Sequence, residues 1–226
     1  MPRRPDIPAQ LEATAALLLR EPDERVRTLV GEWCGTQPPP LADMRQDFFE
    51  VMAIPQAGRF LPPYEHVLRQ AKRKDGLWFF PPARHDGGRL VEGYYARLGF
   101  DPARLEASPL VVAPHLPGDH IGVMFAFLAH AIRLLATRGG QDSRPQPAEA
   151  PDRARLALEL SSFRKLHIGP WMELYADLLA ARGGPYLAAV ADAVRGARAL
   201  IEGVDIQAEA AGPSPARSPD AATTGG

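Results

Sequence analysis

Asp119 and His120 stand side by side after a Pro117-Gly118 turn and open the most apolar stretch of the chain. A carboxylate next to an imidazole can orient a general base, help hold a metal ion, or receive a cationic ligand at the edge of an apolar surface. The metal reading gathers His115, Asp119 and His120 with His167 from another segment, as a metal-dependent hydrolase would. Spacing works against it. His115 and Asp119 straddle a proline–glycine break, so no helical turn aligns them, and His120 points elsewhere. A plainer role for Asp119 is the N-cap of the following helix, accepting a free backbone N–H at the positive end of its dipole. His66, His85 and His130 are expected to be surface or core residues.

Other chemistries lack their parts. The glycine pairs at Gly87-Gly88, Gly139-Gly140 and Gly183-Gly184 have neither a preceding strand nor a following Lys-Ser/Thr to cradle a phosphate. No serine nucleophile elbow occurs. Cys34, the single cysteine, allows no internal disulfide and removes thiolate-rich zinc sites, in keeping with a reducing cytoplasm. Hydrophobic residues make up 46% and charged residues 23%, as in a soluble globular protein. The net charge of −1 gives no overall electrostatic pull toward nucleic acid or a membrane surface.

No apolar run reaches the roughly 20 residues of a membrane helix, and Arg133 and Arg138 close the nearest candidate. The opening Met1-Pro2-Arg3-Arg4-Pro5 carries paired arginines without an apolar export segment behind them. A cytoplasmic protein without stable membrane insertion is expected.

The elements that must position these residues read as helices. Leu11, Ala15, Leu18 and Leu19 share one side of a first helix, and Val26, Leu29, Val30 and Trp33 one face of a second. Met44, Phe48, Val51 and Met52 mark a third, and Val91, Tyr94, Tyr95 and Leu98 a later one ended at Gly99. Ile121, Met124, Phe125, Leu128, Ile132 and Leu135 give the helix after His120 a wide apolar face. Leu156, Leu160, Phe163 and Leu166 form the next stripe, then Trp171, Leu174, Tyr175, Leu178 and Leu179, then Leu187, Val190, Val194, Ala197 and Ile201. Trp78, Phe79 and Phe80, held by Pro81 and Pro82, suggest an aromatic cluster packed in a loop. Period-two alternation is nowhere sustained. The expectation is an all-α, single-domain bundle of about eight to ten helices over residues 1–207. A flexible connection near 139–150 and a disordered tail over 208–226 complete it.

Residue identities then add what periodicity cannot. Asp47-Phe48-Phe49, followed by Phe60-Leu61-Pro62-Pro63-Tyr64-Glu65-His66-Val67, resembles the Pro-Tyr-Glu-Ser-Val element of the TorD/DmsD/NarJ family of redox-enzyme maturation chaperones and the segment before it. The resemblance continues through Tyr94-Tyr95 with Gly99-Phe100. Pro117-Gly118-Asp119-His120-Ile121 is similar to the family's Pro-x-Asp-His element, and Phe163, Leu166-His167 and Trp171 to its His-Leu-x-x-Trp region. These points fall in family order over about residues 45 to 200. Departures mark a divergent member: His115 where the family has glutamate, His66 where it has serine, and Ile168 where it has leucine.

The resemblance implies a non-enzymatic, all-helical chaperone without a cofactor of its own. Its implied partner is an apo-molybdoenzyme catalytic subunit or that subunit's twin-arginine signal peptide, held until the molybdenum cofactor is inserted and before export or docking. A peptide with an apolar segment and a cationic end calls for an apolar groove with carboxylates. Asp119 and Glu65 are the expected rim carboxylates, with His120 beside them. Pro117, Tyr64, Trp78, Phe79, Phe80 and Trp171 complete the expected peptide site. Besides the hydrolase, the alternative is a permanent structural adaptor of an oxidoreductase complex. A monomer and a domain-swapped homodimer both fit the 139–150 connection.

Overall fold

The computed structural model describes residues 6–35, 37–113, 116–137 and 153–206, without the side chains of Cys34 and His85. His115, the 139–150 connection and the 208–226 tail lie outside the described residues. Among the described residues the fold is all-α: α1 (Ile7–Leu19), α2 (Glu24–Cys34), α3 (Leu41–Asp47), α4 (Glu65–Leu68), α5 (Arg89–Arg97), α6 (Ile121–Thr137), α7 (Arg153–His167), α8 (Trp171–Ala181) and α9 (Pro185–Gly203). A short hairpin of β1 (Lys72–Lys74) and β2 (Leu77–Phe79) is added to them.

Local chemistry starts several of these helices. Asp6 caps α1 through Ala9 N–H at 3.1 Å, and Asp23 caps α2 through Val26 N–H at 2.8 Å. The Val26 bond holds the Asp23 carboxyl below its ordinary range. Pro185 stands in the first turn of α9. Past Asp47, α3 continues as a π-helical stretch, Phe48–Ala53, whose wider turn puts Phe48, Val51, Met52 and Ala53 all in the core.

The centre is α6. Every residue from 121 to 129 is buried, so this helix is apolar all round and must be enclosed on all sides. α1 runs along it, α9 packs on α1 and α8, and α7 covers another side of α6. Along α7 the buried stripe is Leu156, Leu160, Phe163 and His167, while Leu166, expected to share it, is 53% exposed. A helix advances about 100° per residue, so after Phe163 the core-facing place falls four residues on, at His167. A histidine thereby enters the core.

The hairpin corrects the sequence reading of 72–79 as a basic stretch followed by loop-packed aromatics. Lys72 pairs with Phe79, Arg73 with Trp78 and Lys74 with Leu77, in antiparallel register. Asp75 (φ 51°) and Gly76 (φ 79°) make the turn, both in the left-handed region that a two-residue hairpin turn needs. Strands of three residues are too short to show alternation.

Candidate functional site

Two loops cross at the mouth of α6. Residues 63–65 run antiparallel to residues 119–121: Glu65 N–H donates to the Asp119 carbonyl at 3.1 Å, and Ile121 N–H to the Pro63 carbonyl at 2.9 Å. Tyr64 and His120 are thus paired like residues on neighbouring strands, with their rings edge to face at 5.7 Å. Proline at 62 and 63 keeps the first loop extended and gives it no N–H to lose there.

Side chains lock the crossing. Asp119 Oδ2 accepts two hydrogen bonds from His66, one from the backbone N–H and one from ring Nδ1, both at 2.7 Å. His66 Nε2 accepts Arg84 N–H at 3.0 Å, which leaves Nδ1 as the ring donor to Asp119. Glu65 reaches the other way. Its Oε2 accepts from His167 Nδ1 at 2.8 Å, and its Oε1 pairs with Arg69 Nε at 2.6 Å. The His167 carbonyl receives Trp171 Nε1–H at 3.0 Å, and Arg69 also donates to the Leu166 carbonyl. Tyr95 O–H closes the set on the Gly118 carbonyl at 3.0 Å. α4, α5, α6, α7 and α8 are all fastened here.

The start of α6 differs from the expectation. His120, not Asp119, caps the helix: its Nδ1 accepts Gly122 N–H at 3.0 Å. The Asp119 carboxylate is drawn away by the two closer donors of His66. That capping bond needs a lone pair on His120 Nδ1, and burial pushes the pKa of this imidazole down to about 4, against a smaller opposing pull from Asp119. Burial, helped by the Asp119 charge, pushes Tyr64 up to about 12. Tyr95 is raised for the same reasons. Glu65, Asp119, His120 and His167 are each 5% exposed or less. Neither expected rim carboxylate therefore lies at a rim.

Glycine makes the crossing tight enough. A Cβ on Gly88, at the start of α5, would lie 2.4 Å from Gly118 N and 2.9 Å from Asp119 N. A Cβ on Gly118 would instead meet the Glu92 side chain first, at 2.7 Å.

On the far side of the same turn lies a cavity of about 670 Å³. The end of α5 and residues 100–113 and 116–118 enclose it, with Tyr95, Phe100, Leu105, Val112 and Leu116 as apolar wall and Glu92 and Asp101 as its carboxylates. Its volume is in the usual range for a ligand site. Pro117 and Gly118 line it, while Asp119 and His120 face the protein interior.

The structure thus brings Asp119, His120, Glu65 and Tyr64 together, ties Trp171 to them through His167, and puts Pro117 on the cavity. Trp78 and Phe80 pack half-buried against the core, and Phe79 is 54% exposed on the hairpin, away from the cavity lining. Sequence reasoning missed His66 as the Asp119 partner and Glu92 with the wall of residues 100–113 and 116–118. The available signal for the wall was its unspent hydrophobicity: Leu105, Val111, Val112 and Leu116 belong to no helical stripe. Among the described residues no group of three or more His, Cys, Asp or Glu is placed to hold a metal ion.

Both nitrogens of His66 are engaged, and the open space beside the turn is mainly apolar. The chain belongs to the nitrate reductase delta subunit family, whose profile matches residues 7–177, a family of NarJ/TorD-type chaperones for nitrate reductase maturation. Neither a curated protein nor a solved structure is matched by this chain.

Proposed function

We propose that this chaperone binds an apolar terminal segment of an apo-molybdoenzyme catalytic subunit, such as its leader peptide, and holds it until cofactor insertion is complete. The observation that carries the reading is the cavity of about 670 Å³ built on residues 117–118 of the family's Pro-x-Asp-His element. Asp119, His120, Glu65 and Tyr64 act as positioning residues that fix this wall, with Trp171 behind them. Glu92 and Asp101 take the cationic end of the peptide.

The space suits two or three apolar side chains rather than a whole helix. Each contributes about 1.5–3 kcal/mol on full burial, toward the roughly 8 kcal/mol of micromolar binding. An exposed arginine–carboxylate pair adds about 1 kcal/mol or less, so contact sets affinity and Glu92 sets orientation. The test titrates a labelled leader peptide of the client subunit against wild type and Leu116→Asp. A charge on the apolar wall is expected to weaken binding at least about tenfold. Unchanged affinity with an intact circular dichroism melt overturns the reading.

A further inference from the structure

The hairpin takes no part in the loop crossing or in the cavity wall. Cross-strand partners share a face, so Lys72, Lys74, Leu77 and Phe79 project from one side, and Arg73 and Trp78 from the other. Trp78 is half-buried against the core, which turns the first face to solvent. There Leu77 is 65% and Phe79 54% exposed, beside two lysines. Lys72, Arg73 and Lys74 make no ion pair among the described residues, and Asp75 at the turn is the hairpin's single acid. The chain as a whole has a net charge of −1, so this is a local cationic patch on a near-neutral protein.

We propose that this face docks the protein reversibly on an anionic lipid surface. Leu77 and Phe79 enter the boundary between headgroups and acyl chains, while the lysine stems lie along it and their ammonium groups reach lipid phosphates. Charge complementarity and size choose this occupant. A specific protein partner needs about 800 Å² of surface on each side, more than the four side chains of this short hairpin face present. A bilayer needs only a few inserted apolar groups and a cluster of cations. No described helix is long and apolar enough to cross a membrane, so the attachment is peripheral.

The experiment is co-sedimentation of the full chain with vesicles of phosphatidylcholine alone or with about one-third phosphatidylglycerol. Binding is expected only to the anionic vesicles, and is expected to fall as salt rises from about 0.1 M to about 1 M, where the Debye length shortens from about 10 to about 3 Å. Lys72→Glu/Lys74→Glu should weaken partitioning by at least about thirtyfold, and Leu77→Ser/Phe79→Ser by about tenfold. Leader-peptide affinity should not change in either variant, which keeps this test separate from that of the cavity. All four side chains are exposed, so melting temperature serves as the folding control. Failure to bind anionic vesicles, equal binding to neutral ones, or undiminished binding by both variants overturns the proposal. So does loss of affinity for a client protein while vesicle binding is retained, which would assign the face to a protein partner.

Discussion

Two sides of one turn are built on opposite principles. Toward the interior, Asp119 and His120 are buried, and their hydrogen bonds go to His66 and to the first turn of α6. Toward the outside, Pro117 and Gly118 form part of the wall of an open, largely apolar cavity. The ionisable pair looked like the site because its residue types can do chemistry. In the fold Asp119 Oδ2 is spent on His66 and His120 Nδ1 on the first turn of α6, while Asp119 Oδ1 and His120 Nε2 stay buried without a hydrogen-bond partner among the described residues. The open apolar capacity is next door, in the wall made by residues 100–113 and 116–118. Polar groups tied into neighbouring elements specify architecture, and a contact surface left over can take a ligand. A substitution on the inner side should therefore cost stability, and one on the outer side should cost binding.

The harshest test of the inner side is Gly88→Ala. Its new Cβ would meet backbone nitrogen of Gly118 and Asp119, which cannot step aside without moving the crossing itself. A loss of about 3 kcal/mol or more is expected, lowering the melting temperature by about 6–12 °C. A melt unchanged within error would mean that the two loops are not held as tightly as their geometry indicates.

Asp119→Ala comes next. It leaves the His66 N–H and ring N–H without their acceptor in a largely closed space, for an expected loss of about 3 kcal/mol in urea unfolding. Asp119→Asn keeps an acceptor oxygen and should recover about half of that. If Asp119→Ala instead left stability intact and abolished leader-peptide binding, the carboxylate would belong to the outer side and the contrast would fail.

The helices were legible in the sequence because buried faces repeat every three to four residues, and α1, α2, α6 and α9 show that repeat with breakers at their ends. The site was legible only in part. Tyr64, Glu65, Asp119 and His120 stand out as a group, yet their distant partners are 53 to 102 residues away, as with Asp119–His66 and Glu65–His167. Such pairings are set by packing, which local spacing does not encode. A lone histidine carries no pattern, so spacing gives His66 no role. The hairpin escaped because each strand holds three residues, although Asp75-Gly76 is a strong turn signal.

The inner side also predicts a pH dependence. The His120 imidazole has a folded-state pKa of about 4 against 6.5 when free, so between these values the unfolded chain binds the extra proton. Its contribution to stability is fully present above about pH 6.5 and is lost as pH falls toward 4, amounting to about 2 kcal/mol by pH 4.5. His120→Asn retains an oxygen able to cap α6 through Gly122 N–H and has no proton to gain. Urea unfolding at pH 7 and pH 4.5 should show the variant losing about 2 kcal/mol less than wild type. Equal losses would place the acid sensitivity elsewhere.

The smallest expected effect discriminates best. Gly118→Ala adds the same methyl group as Gly88→Ala, across the same contact, but directs it at the Glu92 side chain rather than at backbone. Glu92 makes no hydrogen bond or ion pair among the described residues and can swing away, so the fold should lose less than about 1 kcal/mol. The cost should appear instead in the ligand, since the displaced carboxylate is one of the two that line the cavity. A leader peptide with a basic end should bind about threefold to fivefold more weakly to Gly118→Ala, and by a similar factor to Glu92→Gln. A peptide whose basic residues are replaced by glutamine should not distinguish either variant from wild type. If Gly118→Ala unfolded the protein as readily as Gly88→Ala, the turn would have one side and not two.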